Sequence, residues 1–404
     1  MEYHKLNNGI KLIHKKTNSP VSYCGLIINT GTRDEQKNEQ GISHFIEHVL
    51  FKGTKKRNYR QILTRLDDVG GEIDAFTTKE DTTITATFLT KYYKRAIELI
   101  HDITFNSTFP EKELEKEKLV IYDEINSYKD SPSELIFDEF EKMVFKNHQL
   151  GKDILGTKKS LQKITRNHVL NFIKNNYNTD QMVLASVGNI KFDKLITIFE
   201  TYFKDVKPNI RQYTREKFNG FTPEILTKNK KTYQAHCIIG GIAYSAFDKK
   251  RNALMLLLNI LAGAGLSSRL NLLLREKNGL VYNIETNYNL YSDTGLWTIY
   301  FGADKENTEK VISLIKKELN LLRKKELSSL ALHKAKTQLI GQITIANENY
   351  NNQLYSIGKS YLLYDKVNTM KEIVKIIENI TSKNLIEISN QIFDEKNISQ
   401  LIYK

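Results

Sequence analysis

The order of predicted helices and strands recurs in the two halves of this 404-residue chain. Each half is predicted to contain two helices, then two strands, then a further helix, and this repeated order indicates an internal duplication. Separate runs of strands and helices predict the α+β class, with two homologous domains that each pack helices on an antiparallel sheet. The predicted segments are a helix after Gly41, a helix over 58–66 and strands over 72–77 and 82–89 in the first half, and helices over 252–261 and 267–277 with strands over 281–290 and 296–302 in the second.

Residues 208–230 lie between the two halves. They contain two of the five prolines, Pro208 and Pro223, many charged residues and little periodicity, which is typical of a linker. We therefore predict an N-terminal domain over 1–207, a linker over 208–230 and a C-terminal domain over 231–404.

A single helical turn in the first half carries the strongest chemical signal. His44 and His48 are four residues apart, so a helix places both imidazoles on one face, where both can reach the same cation. Two imidazoles, one further oxygen ligand and a water describe a catalytic zinc site. Glu47 lies on the edge of that face and is placed to take a proton from the water. In the second half, the corresponding helix around 256–260 is apolar, so only the first domain is predicted to bind metal.

The third ligand must come from another segment, and Glu124 is the best candidate. It lies in a helix predicted to begin after Pro110, with acidic residues in its first turns. Glu117 is seven residues earlier and shares a face with Glu124, Val120 and Ile121. We expect Glu124 to bind the metal and Glu117 to support a ligand or handle protons. By spacing alone the two acids fit a solvated Glu-Lys face equally well.

Composition limits the remaining function classes. The net charge is +13, but Lys is spread along the chain and interleaved with Glu, with no Arg-rich block, so we predict no nucleic-acid partner. No run approaches 18 apolar residues, which predicts no membrane span, and no signal peptide is visible at the N-terminus. The only two cysteines, Cys24 and Cys237, lie in apolar runs and are predicted to be buried thiols. Together these features predict a cytoplasmic protein.

The His-Phe-Ile-Glu-His motif resembles the inverted zinc motif of the pitrilysin and insulysin peptidases, the inverzincin family M16 that includes the mitochondrial processing peptidases. In that family a Glu ligand follows the second His at about this interval, with another essential Glu seven residues before it, as Glu124 and Glu117 do here. The resemblance runs from about residue 3 to the end. It also rests on His48-Val-Leu-Phe-Lys-Gly-Thr54, Gly70-Gly71-Glu-Ile-Asp74-Ala75-Phe-Thr77, His148-Gln-Leu-Gly151-Lys-Asp-Ile-Leu-Gly156, Leu266-Ser-Ser-Arg269-Leu and Arg275-Glu-Lys-Asn-Gly279-Leu-Val-Tyr282.

The resemblance implies one zinc ion per chain and a set of substrate contacts. An Arg and a Tyr at the spacing of Arg275 and Tyr282 hold the substrate backbone and complete the active site in the family. A strand matching Asp74, Ala75 and Phe76 receives the extended peptide by backbone pairing. The family has Asn where this chain has Asp74, and an ionised Asp cannot donate a hydrogen bond as Asn does. From the residues alone, Arg275 fits a salt bridge with Glu276 and Tyr282 fits strand packing.

The resemblance also implies an assembly. The family encloses its peptide substrates in a clamshell chamber of four such domains, and this chain supplies two of them, half of the clamshell. A dimer is therefore expected, either a homodimer or a heterodimer with a related chain, as in the short-chain branch of the family. The expected activity is zinc-dependent hydrolysis of peptides or unfolded segments. Two alternatives are a non-catalytic, obligately paired peptide-binding subunit and a zinc-dependent binder that captures peptides without cutting them.

Overall fold

The computed structural model describes all residues from Met1 to Lys404, and they form two compact units. Both units are built from separated stretches of the chain. The first unit contains Met1–Asn126, Lys152–Arg215 and Ala346–Val367, and the second contains Ser127–Gly151, Glu216–Ile345 and Asn368–Lys404.

A six-stranded mixed sheet forms the centre of the first unit, in the order β1-β2-β6-β3-β5-β4. Strands β1 and β2 form the hairpin predicted from Asn8-Gly9, and Gly9 has the positive φ of 101° that such turns favour in glycine. All neighbours are antiparallel except β2 and β6. The strands are β1 (Glu2–Lys5), β2 (Lys11–Lys16), β3 (Val21–Ile28), β4 (Glu72–Thr77), β5 (Thr82–Leu89) and β6 (Met182–Gly188).

The second unit repeats five strands of this topology. Its sheet has the order β7-β11-β8-β10-β9, again with one parallel pair, β7 and β11. The shared order supports the predicted duplication and confirms the α+β fold class, although each sheet is mixed rather than wholly antiparallel. The strands are β7 (Ile225–Lys228), β8 (Ala235–Ala243), β9 (Asn283–Leu290), β10 (Gly295–Ala303) and β11 (Ser399–Tyr403).

Fourteen α-helices and one π-helical turn, Asn271–Glu276, complete the fold. The predicted helix over 267–277 is thus shorter and wound differently. No helix combines the length and apolar character needed to cross a bilayer. The helices are α1 (Ile42–Val49), α2 (Tyr59–Asp67), α3 (Tyr93–Phe105), α4 (Glu111–Lys129), α5 (Pro132–Val144), α6 (Lys158–Lys163), α7 (Arg166–Asn176), α8 (Phe192–Phe203), α9 (Arg251–Ala262), α10 (Thr308–Lys324), α11 (Ser329–Ala346), α12 (Tyr350–Tyr364), α13 (Met370–Glu378) and α14 (Ser382–Ile392).

Each unit takes one helix from the opposite half of the chain. Helix α12, from the second half, packs on β3 and β6 of the first unit, while α5, from the first half, packs on β8 and β11 of the second. The compact units therefore do not follow the predicted contiguous domains 1–207 and 231–404. The physical reason is that each sheet has two apolar faces: most helices of its own half cover one face, and the exchanged helix covers the other.

The contact between α12 and the first sheet is close. A Cβ on Gly358 would lie 2.3 Å from Cδ1 of Ile27 and 3.0 Å from Cβ of Ala185, so a larger residue here would require the side chain of Ile27 to move. Ile27, Val183 and Ala185 point to this face, whereas Leu26 and Leu184 point to the face covered by the other helices. Alternation along the strands thus divides the apolar residues between two cores.

The predicted linker over 208–230 is largely part of the two units. Phe218 and Phe221 pack against the core beneath α5, and β7 pairs with the last strand of the chain. Phe218 and Phe221 are two isolated aromatic residues in a polar segment and do not extend into a helical or strand period, which is why sequence periodicity missed this packing.

The free thiols Cys24 and Cys237 are both buried, as predicted. Burial raises the pKa of Cys24 to about 12, so this thiol stays protonated and chemically inert. Beside it, His14 of β2 is also fully buried, and its Nδ1 lies 3.1 Å from Oγ of Ser186. Burial lowers the pKa of His14 to about 4 from the usual 6.5.

His14 is expected to make the first unit sensitive to acid. Because burial depresses the pKa of His14 in the folded state, the unfolded chain binds the extra proton as the pH falls. The contribution of the neutral imidazole to stability is therefore fully present above pH 6.5 and is lost as the pH drops toward 4. The full effect of such a shift is about 3 kcal/mol. Urea unfolding at pH 7 and pH 5 should show a smaller pH-dependent loss in His14→Gln than in the wild type. His333→Gln, at an exposed helix position, should behave as wild type, and an equal loss in all three proteins would contradict the prediction.

Candidate functional site: a metal centre on helix α1

Helix α1 is held at its start by contacts that the sequence pattern did not predict. The buried carboxyl group of Glu35 accepts the backbone N–H groups of Gly41 and Ser43, each at 2.9 Å, and so caps the helix. Gly41 has a φ of 89°, and a Cβ there would lie 2.9 Å from Cα of Gly156. A Cβ on Gly156 would likewise meet Gly41, so the two glycines let a distant loop touch the helix start.

The predicted metal ligands converge. Nε2 of His44 lies 3.7 Å from Oε1 of Glu124, and Nε2 of His48 lies 3.6 Å from Oε2 of Glu124. One ligand atom from each of the three residues lies within 4.8 Å of the others. Both imidazoles come from one face of α1 and the carboxylate comes from α4, as the spacing predicted.

These three residues fit a zinc ion. Their mutual distances are too long for good hydrogen bonds, so the imidazoles and the carboxylate do not satisfy each other. Burial lowers the pKa of His44 to about 3, which keeps it neutral, as a metal ligand must be. A divalent cation among the three atoms would give each a partner, and two His with one Glu is a known donor set of catalytic zinc.

Glu117 orients the second imidazole. Its Oε1 lies 3.1 Å from Nδ1 of His48, the ring nitrogen that faces away from Glu124, and its Oε2 lies 2.7 Å from Nζ of Lys52. Burial opposes ionisation of Glu117, but the bonds to His48 and Lys52 hold its pKa below the usual value. The acid is therefore an anion that fixes the ring and its tautomer. Of the apolar residues predicted to share its face, Ile121 is buried but Val120 is half exposed. Only part of this face of α4 is therefore buried.

Lys52→Met is expected to weaken zinc binding about tenfold without unfolding the chain. The change removes the cation that holds Glu117 in place, so the carboxylate can turn away from His48. Competition with a chromophoric zinc chelator measures the affinity directly. Lys112→Met, on the exposed surface of α4, serves as the matched control and should bind zinc as wild type does. Equal affinity in both variants would show that Lys52 does not position the ligand.

Glu47 has the environment of a general base. Its Oε2 is buried and makes no hydrogen bond, although Thr77 lies beside it. Burial raises the pKa of Glu47 to about 7, near the value at which a carboxylate both takes up and releases protons in neutral solution. The side chain of Thr77 and, to a smaller extent, the charge of His48 oppose this rise in the pKa of Glu47. The side chain is therefore poised beside the three ligands, as its place on the helix edge predicted.

Strand β4 packs against α1 and forms an edge of the first sheet. Its outer edge has no strand partner in this unit, which is what pairing with an extended peptide requires. Ala75 is buried, Phe76 is half buried and Asp74 is exposed. The Oδ1 atom of Asp74 accepts the backbone N–H of Ala75 at 2.8 Å.

The turn after β4 is anchored by three buried charged residues, which sequence reasoning missed. Lys79 donates to the carbonyl of Lys152 at 2.6 Å. Glu80 accepts from Arg33 at 2.6 Å, and Asp81 accepts from Lys359 of α12 at 2.8 Å. The turn therefore ties the end of the edge strand to three distant segments, including the exchanged helix.

Arg275 and Tyr282 lie in the second unit. Arg275 belongs to the π-helical turn and has Glu276 as its nearest carboxylate, at 3.9 Å, too far for a strong pair. Tyr282 immediately precedes β9, is 62% exposed and donates its hydroxyl to Asp304 at 3.1 Å. Neither side chain is packed in a core, so both are free to contact a substrate.

Comparison with known proteins places this geometry in a family. Residues 11–158 match the insulinase model of peptidase family M16, and residues 163–339 match the model of the M16 inactive domain. An uncharacterized zinc protease of Bacillus subtilis, YmxG, is 33% identical over 96% of this chain and 94% of its own length. An uncharacterized zinc protease of Rickettsia felis is 34% identical over 98% and 96%.

Solved structures agree on the fold. A protease from Helicobacter pylori superimposes with a TM-score of 0.90 over 100% of this chain and 99% of its own, at 18% identity. A peptidase M16 inactive domain from Pseudomonas fluorescens gives the same TM-score, covering 97% of that chain. With full-length relatives above 30% identity, the chain belongs to peptidase family M16, in its short-chain branch.

Proposed function

We propose that the chain is a zinc endopeptidase that hydrolyses peptides or unfolded segments. One observation carries this proposal: the half-buried carboxyl of Glu47, whose buried Oε2 has no hydrogen-bond partner, lies beside three converging ligands, His44, His48 and Glu124. A pure metal-binding protein needs the ligands but no base. The names of the relatives, zinc proteases, support the same reading.

The residues of this chain divide the work of peptide hydrolysis. Zinc, held by His44, His48 and Glu124, would polarise the scissile carbonyl and acidify a water. Glu47 takes the proton of the attacking water and delivers it to the leaving amine. Glu117 keeps the imidazole of His48 in its productive orientation through Nδ1.

Substrate binding is assigned to the edge strand and to the second unit. In this proposal an extended peptide pairs with β4 along Asp74, Ala75 and Phe76, and backbone pairing tolerates many sequences. Arg275 and Tyr282 hold the substrate backbone and help to stabilise the oxyanion that forms at the carbonyl.

The assembly we propose is a dimer, with the two chains enclosing a chamber for the substrate. In a dimer, Arg275 and Tyr282 of one chain can serve the metal centre of the other. A closed chamber admits peptides and unfolded segments but excludes folded proteins, which is the selectivity expected of such an enzyme.

Cleavage of a mixed quenched-peptide library tests the function. The zinc-loaded chain should cut the library, a chelator should stop cleavage, and added zinc should restore it. A His44→Phe variant should neither bind zinc nor cut. If the wild type binds one zinc ion and peptide but remains inert, the chain is instead a binding protein or a subunit that needs a different partner.

A further inference from the structure

The first unit contains a cleft that none of the predicted metal-site residues lines. It has a volume of about 570 Å³ and lies where α3, α7 and the end of α8 meet. Tyr177, which is buried, contributes to its lining. Phe105 and Tyr202 also line the cleft, and both are half buried. A cleft of this size accommodates a small organic molecule.

The wall of the cleft is aromatic. The ring of His101 lies 5.3 Å from that of Phe105, 5.2 Å from that of Phe203 and 6.2 Å from that of Tyr202, centroid to centroid. Burial lowers the pKa of His101, which keeps the imidazole neutral. Neither the ring nitrogens of His101 nor the hydroxyl of Tyr202 has a hydrogen-bond partner in the chain. The wall therefore offers flat stacking surfaces together with polar atoms that remain available to a ligand.

The rim of the cleft is positive. Lys55, Lys174 and Lys207 line it, and no carboxylate lies within 4 Å of their ammonium groups, whereas many other lysines of the chain form ion pairs. Asp205 is the only acid in the lining. Three ammonium groups against one carboxylate leave an excess of positive charge, which favours an anionic ligand.

We propose that this cleft binds a small ligand that combines an aromatic ring with an anionic group. The ring would stack on the wall formed by Phe105 and Tyr202, and the anion would contact the lysines of the rim. Two sources share this chemistry: a mononucleotide, and an aromatic residue with a free carboxylate at the end of a peptide. The proposal does not depend on peptidase activity, because its test measures binding alone.

Titration calorimetry of the full-length, zinc-loaded chain tests the proposal. The probes are AMP and N-acetyl-tyrosine, with adenosine and inorganic phosphate as partial ligands. At least one complete ligand should bind with a Kd below about 1 mM, and if that ligand is AMP, adenosine and phosphate should each bind at least about tenfold more weakly. Tighter binding of AMP indicates a nucleotide site, and tighter binding of N-acetyl-tyrosine indicates a site for peptide ends. No binding of either ligand, or phosphate binding as tightly as AMP, would overturn the proposal.

Variants locate the site. The triple change Lys55→Gln, Lys174→Gln and Lys207→Gln should weaken binding at least about tenfold, because it removes the positive rim. Tyr202→Leu should weaken it by loss of stacking, while Lys194→Gln, on the exposed side of α8, should leave the Kd unchanged. If Tyr202→Leu fails to fold, the triple variant decides alone. Binding that persists in the triple variant places the ligand elsewhere, including at the metal, and contradicts the proposal.

Discussion

Glu47→Gln is expected to lower kcat for peptide cleavage by about a thousandfold while leaving zinc binding intact. The amide has nearly the shape of the carboxylate but cannot take a proton from water, and general base catalysis contributes about 10²–10⁴-fold to such reactions. Glu47 is not one of the three ligands, so the change removes no ligand atom from the candidate metal site. Steady-state kinetics on a peptide cut by the wild type, with zinc content measured on the same samples, checks both parts.

Glu111→Gln is the matched control, because Glu111 is an exposed acid at the start of α4. It should retain the wild-type kcat. A Glu47→Gln variant that keeps zinc and cleaves at more than about a tenth of the wild-type rate would show that another group serves as the base. Loss of zinc together with activity would instead show that Glu47 is needed to form the site.

Arg215→Met is expected to lower the free energy of unfolding of the first unit by about 3–5 kcal/mol. Arg215 is buried, and its Nη2 lies 2.7 Å from Oδ2 of Asp34, which is fully buried. Nη2 also donates to the carbonyl of Glu80 at 2.8 Å, in the turn that follows β4. Removing the guanidinium leaves buried negative charge without its closest counter-charge, which costs far more than the loss of an exposed ion pair.

Urea unfolding, monitored by a probe in the first unit, measures this effect. The control is Arg60→Met on the exposed face of α2, which should change stability by less than about 0.5 kcal/mol. A loss of similar size in both variants would contradict the role of the buried network. Because the network anchors the turn after β4, the Arg215 variant should also bind peptide more weakly at temperatures where it remains folded.

The candidate metal site was largely predictable because it depends on helical periodicity. A spacing of four puts His44 and His48 on one face of α1, and a spacing of seven puts Glu117 and Glu124 on one face of α4. Only the meeting of the two helices required the tertiary structure. The roles of Lys52 and Glu35 were not predicted, because a single charged residue outside a helix carries no periodic signal.

The two strand–helix repeats were predictable for a similar reason, since alternation and helical period are local properties of the chain. The exchange of α5 and α12 was not, because an amphipathic helix shows only that it has an apolar face and does not show which sheet covers it. The predicted domain boundaries differ from the compact units for the same reason. Both exchanged helices lie far along the chain from the strands they cover.

Sequence alone thus determined the candidate metal ligands and the local elements, which depend on residue types at short, regular spacings. Tertiary structure alone decided which distant polar groups meet. Lys52 pairs with Glu117, Glu35 accepts backbone N–H groups at the start of α1, and Asp81 pairs with Lys359. The physical reason is that a charged side chain is predicted to be solvent-exposed unless its partner is known. A buried pair is defined only by the fold that brings both members together.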